Sequence, residues 1–285
     1  MSDARILDRG YRPYEGPRSG VPGAVRSLAI HTARQMLGLR RPLRWKLVPF
    51  SMIFFAFAPP IGFIAFVALF GGGVGEALPQ VADSYGFIFI SMVLFVYLVA
   101  PQALCPDRRN RVLGLYLASP LTRDTYLLAK AIAVVCVLMI VTTLPPLLLT
   151  IAYWLLGVEP RGVVDVLTLI ARVLASGLAL STIYGLFALA ISSLTERVAF
   201  AAAGMVLTSG LLLVASNILV GTGQHEGLLL ISLNIAPVEL VFRIHGGMEE
   251  ELPVSVLTIV GANVAWATVL GAVAWLRYRF MKVTR

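Results

Sequence analysis

The sequence predicts an all-α integral membrane protein with six transmembrane helices. The chain has 285 residues, of which 58% are hydrophobic and 13% are charged, a balance far outside that of soluble domains. Six apolar runs are long enough to cross a bilayer as α-helices. The basic residues also gather between alternate runs, as the positive-inside rule expects of a multi-pass protein.

The predicted spans fill most of the chain beyond residue 47. They cover residues 48–70, 85–104, 130–156, 173–194, 198–220 and 254–276. Residues 1–47 therefore form an N-terminal segment, and residues 48–285 form one transmembrane domain. Because no apolar core precedes the first run, we expect that run to serve as the targeting signal.

The N-terminal segment predicts an interfacial helix. Residues 23–39 mix apolar side chains with Arg26, His31 and Arg34, and two more arginines follow. This pattern is typical of a basic amphipathic helix, which we expect to lie in the headgroup layer before the first span. Residues 6–20 contain prolines, glycines and tyrosines without periodicity, so we expect them to be extended.

Prolines and small residues mark several spans. Pro59–Pro60 and Pro145–Pro146 lie in the first and third spans, where each proline removes a backbone donor and bends the helix. Such bends suit either a moving bundle or static packing. Two ladders of small residues at four-residue spacing predict close contacts between helices. They are Gly177, Ser181 and Gly185 in the fourth span, and Gly261 and Ala265 in the sixth.

The connection between the second and third spans reads CPDRRNRVLGLYLASPLTRDTYLLAK. Val112/Tyr116 and Leu113/Leu117 are four residues apart, which predicts a short amphipathic helix. Ser119 before Pro120 predicts an N-cap with proline at the first helical position, so that a new helix begins there. The alternative is a solvated loop whose arginines only fix topology.

The connection after the fifth span, residues 221–253, contains LLLISLNIAPVELVF. This stretch is too apolar for a free loop and too short to cross a bilayer. It predicts a re-entrant hairpin broken at Asn234–Pro237, with a single surface helix as the alternative.

Six spans place both termini on one side of the membrane. That side holds 20 of the 23 lysines and arginines but only 6 of the 15 acidic residues, so it is predicted to be cytoplasmic. The net charge of +8 is thus a topology signal, and nucleic-acid binding is excluded as its explanation.

The spans lack the residues that catalysis inside a membrane requires. No Asp or Glu lies near the centre of a predicted span, the histidines lie outside the spans, and no GxxxxGK[ST] motif is present. Arg172 lies near a span end, with Asp165 as a candidate partner. Milder polar residues are candidates to line a path for an amphipathic or hydrophobic substrate, with hydrogen bonds between helices as the alternative use. They are Tyr97, Ser181, Tyr184, Thr208 and Asn217.

Together these features resemble the permease subunit of ABC-2-type ABC exporters. The similarity lies in the basic helix before the first span, the six spans with both ends inside, and the SPLTR…YLLAK stretch that opens the third span. The opening DRGYRPYEGPR is also similar to that of some prokaryotic members.

The resemblance implies a location in a prokaryotic plasma membrane and several partners. A separate P-loop ABC ATPase would bind ATP and Mg²⁺, so that this chain holds no cofactor or metal itself. A second permease chain, identical or paralogous, would complete the path among membrane lipids. A non-catalytic membrane scaffold or assembly subunit and an ATP-independent transporter are the alternatives.

The resemblance also assigns residues by position. Arg26 and Arg34 belong to the connecting helix. The residues that would couple the chain to the ATPase are Asp107, Arg108, Arg109, Arg111, Ser119, Pro120, Leu121, Thr122, Arg123 and Asp124.

Overall fold

The computed structural model describes residues 16, 20–39, 42–70, 79–118, 120–158, 160, 162–223, 225–246 and 252–281. Within these residues the chain is helical and contains no strand. The α-helices are α1 (Gly20–Met36), α2 (Leu43–Phe70), α3 (Ser84–Leu98), α4 (Cys105–Arg109), α5 (Leu113–Leu117), α6 (Arg123–Thr142), α7 (Leu144–Leu155), α8 (Val163–Leu194), α9 (Val198–Gly221), α10 (Ala236–His245) and α11 (Val256–Phe280). Short 3₁₀ segments cover Ala100–Ala103 and Glu226–Ile231.

Six helical stretches are long and apolar enough to cross a membrane, which confirms the predicted fold class. They are Leu43–Phe70, Ser84–Arg109, Arg123–Leu155, Val163–Leu194, Val198–Gly221 and Val256–Phe280. The fourth begins ten residues before the predicted span, because a helix continues through the polar Asp165 and Arg172 where an apolar run stops. The protein is therefore a multi-pass membrane protein.

The proline pairs act differently in the two spans that contain them. Pro59 and Pro60 lie inside the continuous helix α2. Pro145 and Pro146 lie in the first turn of α7, and the third span is interrupted at Thr143. Proline has no N–H to donate, so it is tolerated in a first turn, where that donor has no partner within the helix.

The core of the bundle lies between α3, α6 and α8. Large side chains with no exposure fill it, among them Met92, Phe95, Leu138, Tyr184 and Phe187. In contrast, α2 and α9 have few buried residues, and most of their apolar side chains face outward.

Close packing joins α6 to α8, as the first small-residue ladder predicted. A Cβ atom at Gly177 would lie 2.0 Å from Oγ1 of Thr143, and the hydroxyls of Ser181 and Thr142 are 2.8 Å apart. The second ladder does not make such a contact within the described residues, because a Cβ atom at Gly261 would have no neighbour within 4 Å. Gly261 and Ala265 instead line an open apolar groove of about 650 Å³.

Side-chain contacts gather several chain segments at one end of the bundle, which we call the basic end. It comprises α1, residues 99–118 and 120–122, the link Thr195–Arg197 and the last turn of α11. Gln35 on α1 donates to the carbonyl of Gln102 at 3.1 Å, and Arg108 donates to that of Thr195 at 3.2 Å. The opposite end holds residues 79–83, 156–158, 160, 162, 222–223, 225–231, 236–246 and 252–255.

The basic helix α1 buries one side against the rest of the bundle. Leu28, Thr32 and Met36 are buried, and the helix packs against α6 and the 3₁₀ segment Ala100–Ala103. Arg26 and Arg34 are exposed on the other face. The buried side of α1 therefore packs against the rest of the bundle, and its expected place in the headgroup layer stays a prediction. The extended stretch predicted for residues 6–20 lies almost wholly outside the described residues.

The connection after α9 consists of two short helical segments with a break between them. The 3₁₀ segment Glu226–Ile231 ends at Ser232, and α10 begins at Ala236. The carbonyl of Leu233, in the break, accepts a hydrogen bond of 2.8 Å from the Tyr184 hydroxyl. Tyr184 lies ten residues before the end of α8 at Leu194, a rise of roughly 15 Å. The break therefore lies well inside the bundle.

Candidate functional site at the basic end

Two short helices form the connection between the second and third spans. Pro106 lies in the first turn of α4, which ends at Arg109 with Asn110 as its C-cap. Arg111 then takes a left-handed conformation with φ 54°, and the N–H of Val112 donates to the carbonyl of Asp107 at 3.1 Å. The chain reverses here, and α5 follows. This is the short helix that the four-residue spacing of the apolar residues predicted.

A buried ion pair attaches α4 to α6. Nζ of Lys130 lies 2.7 Å from Oδ2 of Asp107, and the two side chains are 0% and 6% exposed. The hydroxyl of Tyr126 donates to the same oxygen at 2.9 Å. Because Tyr126 and Lys130 are one turn apart on α6, both point toward α4 from one face of the helix.

Three tyrosines surround this ion pair. The Tyr126 ring lies 5.6 Å from that of Tyr116 and 5.7 Å from that of Tyr278 on α11. Nζ of Lys130 lies 5.5 Å and 5.9 Å from the ring centres of Tyr126 and Tyr116, within the range of cation–π attraction. Burial, and then the charge of Asp107, raise the pKa of Tyr116 above its usual value, so this hydroxyl stays protonated.

Arg108 caps the end of α8. Its guanidinium donates to the carbonyls of Ser193 and Thr195 and lies 3.9 Å from a carboxylate oxygen of Glu196. The last carbonyls of a helix have no partner within the helix and carry partial negative charge, so a cation is stabilising there.

Arg123 has the same relation to α11. It donates to the carbonyls of Tyr278, at 3.3 Å, and Arg279. Its neighbour Asp124 accepts a 2.8 Å hydrogen bond from Nε1 of Trp275, and the Arg279 guanidinium lies 4.8 Å from the Trp275 ring centre. The beginning of α6 and the end of α11 are thus fixed to each other.

The predicted cap of α6 was wrong. The helix begins at Arg123, and its N-cap is Thr122. The hydroxyl of Thr122 accepts from the N–H of Thr125 at 3.2 Å, and the hydroxyl of Thr125 accepts from the N–H of Thr122 at 2.8 Å. This reciprocal capping box satisfies two donors, whereas Pro120 lies in an exposed turn. Ser119 lies outside the described residues.

The structure divides the remaining residues of the predicted coupling set into two groups. Asp107 and Leu121 are buried, and Arg108 and Arg123 hold the ends of neighbouring helices. The exposed members are Arg109, Arg111, Pro120, Thr122 and Asp124.

Sequence reasoning missed four residues of this site. Lys130, Tyr126 and Tyr278 complete the buried cluster, and Leu115 on α5 is 74% exposed. A lysine at the first position of a predicted span signals that a partner carboxylate is near. The sequence offers Asp107 as that carboxylate, since it is the acidic residue next to the first arginines of the connection.

The candidate path residues do not form one group. Tyr184 donates to Leu233 in the break before α10. Tyr97 contacts the hydroxyl of Ser209 on α9, whose carbonyl accepts from Asn234 in the break at 3.5 Å. Ser181 pairs with Thr142. By contrast, Thr208 is half-buried on α9 and Asn217 is exposed on the outer side of that helix.

Arg172 has a different partner from the predicted Asp165. It donates to the carbonyl of His245 at 3.0 Å, because α10 packs against α8 at this level. Ser176 also approaches Nδ1 of His245, at 3.4 Å. These contacts hold the end of α10 against α8 at the opposite end of the bundle.

Among the described residues there is no group of three His, Cys, Asp or Glu side chains that could hold a metal ion. The geometry is thus that of a helical membrane bundle with a structured, partly exposed connection at its basic end. No curated protein matches the chain. A family model described as ABC-2 family transporter protein matches residues 23–283. The chain therefore belongs to the ABC-2 family of transporter proteins.

Proposed function

We propose that this chain is the permease subunit of an ATP-driven exporter in a prokaryotic plasma membrane. Membership of the ABC-2 family makes it a membrane transport component. The export direction, the energy source and the mode of coupling are the parts that we add. The observation that carries them is the folded connection Cys105–Asp124 at the basic end, which has one buried face and one exposed face.

The basic end faces the cytoplasm in this proposal. The positive-inside rule supports this orientation, because 20 of the 23 lysines and arginines lie on that side of the spans. The exposed face of the connection is then accessible to a cytoplasmic protein.

A separate P-loop ATPase is the proposed partner at this face. The sequence contains no GxxxxGK[ST] motif, so ATP and Mg²⁺ would be bound by that partner. Arg109, Arg111 and the exposed Leu115 offer charge and apolar surface together. The exposed arginines of α1, Arg26 and Arg34, extend the surface and belong to the connecting helix in this proposal.

A second permease chain would cover α2 and α9. Asn217 supports this arrangement, since an amide exposed on a membrane helix is costly in lipid. Its Nδ2 group donates to the carbonyl of Leu213 at 2.8 Å, which leaves its oxygen available to a neighbour. Two chains would then enclose a path between them, with Thr208 and Asn217 among its polar residues.

The broken segment before α10 would be re-entrant from the outer side. Its contact with Tyr184, roughly 15 Å from the end of α8 by helical rise, supports this depth. ATP binding and hydrolysis would move the bundle between inward-open and outward-open states. The apolar character of the spans suits an amphipathic or hydrophobic substrate.

The test is charge reversal on the exposed face. Arg109→Glu with Arg111→Glu should remove stimulation of the partner ATPase while the protein stays in the membrane. Arg277→Glu, on the last turn of α11, is the matched control for an added negative charge. Native stimulation in the double variant would contradict the docking role. If no P-loop ATPase co-purifies with the native chain, a scaffold or an ATP-independent transporter replaces the proposal.

A further inference from the structure

We propose that the Asp107–Lys130 ion pair positions the connection on α6, so that α4, α5 and α6 move as one unit. The Lys130 side chain has no exposed surface, and its Nζ atom lies 2.7 Å from Oδ2 of Asp107. Lys130 and its tyrosine neighbours thereby become positioning residues for coupling, a role that builds on the proposed function.

Stability alone is a poor explanation for the pair. Removing two charges from water costs about as much free energy as their attraction returns, and apolar residues of similar volume often hold such a site equally well. What a buried pair adds is specificity, because only one arrangement satisfies both charges. The pair therefore fixes the orientation of α4 on α6, which an apolar contact in its place would not do.

The short helix α4 depends on such side-chain contacts for its orientation. It has five residues, and one turn of helix is not stable in isolation. Oδ2 of Asp107 contacts two groups of α6, the Lys130 ammonium in an ion pair at 2.7 Å and the Tyr126 hydroxyl in a hydrogen bond of 2.9 Å. Two contacts from successive turns fix both the rotation and the height of α4 along α6.

The tyrosine rings keep this contact dry. Tyr116 belongs to α5 and Tyr126 to α6, and their rings are 5.6 Å apart. Both rings lie within 6 Å of Nζ of Lys130, and Tyr278 from α11 packs against the Tyr126 ring. Exclusion of water strengthens the attraction between the charges, so α5 is held through the same cluster as α4.

Among the residues that the structure describes, the opposite face of the connection is exposed. Arg109, the residue after the Arg108 cap, is exposed, and so is Leu115. A force applied to this exposed face would therefore pass through Asp107 to α6, a span in the core of the bundle.

Amide hydrogen exchange of this chain alone, in lipid nanodiscs, tests the inference. The double variant Asp107→Asn with Lys130→Met removes both charges with little change in volume. We expect its thermal midpoint to stay near that of the native protein, while exchange of amides 107–117 rises roughly tenfold or more. Lys46→Met, a matched lysine substitution at the start of α2, should leave these amides unchanged.

A second variant keeps the test decisive if the first does not fold. Tyr126→Phe retains both charges and removes one donor to Asp107, so exchange in α4 should rise by a smaller factor. Native exchange rates in α4 and α5 of either folded variant would overturn the positioning role.

The consequence for coupling is measured separately. When bound to its ATPase, the double variant should retain binding but lose stimulation of ATP hydrolysis. Native stimulation by that variant would overturn the transmission of movement to α6. Because the exchange experiment needs only this chain, the absence of an ATPase partner would contradict the proposed function and leave the positioning result standing.

Discussion

Neighbouring residues of the connection have opposite environments, although their side chains are of the same kind. Arg108 donates to carbonyls at the end of α8, whereas Arg109 is exposed. The family resemblance placed both in one coupling group, and the sequence did not separate them because the carbonyl that Arg108 contacts lies 85 positions away in the chain. Lys130 was missed for the same reason, since the carboxylate that pairs with it belongs to a different helix.

The contrast between the two arginines predicts different effects on stability. Arg108→Ala removes charged hydrogen bonds from the end of α8 and should destabilise the protein by about 1.5–3 kcal/mol. Arg109→Ala removes an exposed side chain and should stay within about 0.5 kcal/mol of the native value. Thermal unfolding of both variants in the same detergent measures the difference. Equal midpoints would show that the cap contributes nothing to stability.

At the scale of elements, apolar length and periodicity predicted the helices well but their ends poorly. All six spans were found, because a bilayer requires long apolar helices. The start of α6 was placed at Ser119–Pro120, whereas the Thr122–Thr125 capping box determines it. The packing of α1 against α6 was not predicted, since a pattern of apolar residues cannot distinguish lipid from protein.

Glycines that share one pattern in the sequence have different roles in packing. A Cβ atom at Gly177 would meet Oγ1 of Thr143 at 2.0 Å and the Thr143 Cα atom at 3.3 Å. Gly177→Ala should therefore separate α6 from α8 and destabilise the bundle by about 1–3 kcal/mol.

Gly261→Ala is the matched control, because its Cβ atom would have no neighbour within 4 Å. Alanine favours the helix by up to about 1 kcal/mol over glycine, so this variant should be unchanged or slightly more stable. Thermal unfolding compares the two variants. A Gly177→Ala protein as stable as the native one would refute close packing at this contact.

At the scale of the whole molecule, the excess of basic residues and the exposed face of the connection lie at the same end of the bundle. The bundle has a compact interior between α3, α6 and α8, and outward-facing apolar helices in α2 and α9. Its basic end holds a connection whose buried side ties α6, α8 and α11 together. The sequence predicted the six-span layout, and the cytoplasmic orientation of the basic end stays a prediction. The division of the connection into a buried and an exposed face required the folded chain.

The central claim is that the exposed face of this connection is where a cytoplasmic ATPase binds. A photocrosslinking amino acid at Leu115, which is 74% exposed, tests the claim most directly in intact cells. The same amino acid at Leu257, which is 82% exposed at the opposite end, serves as the control. We expect the photocrosslinker at position 115 to capture a P-loop ATPase and the one at position 257 to capture none. Failure to capture an ATPase at position 115, or its capture at position 257, would contradict the claim.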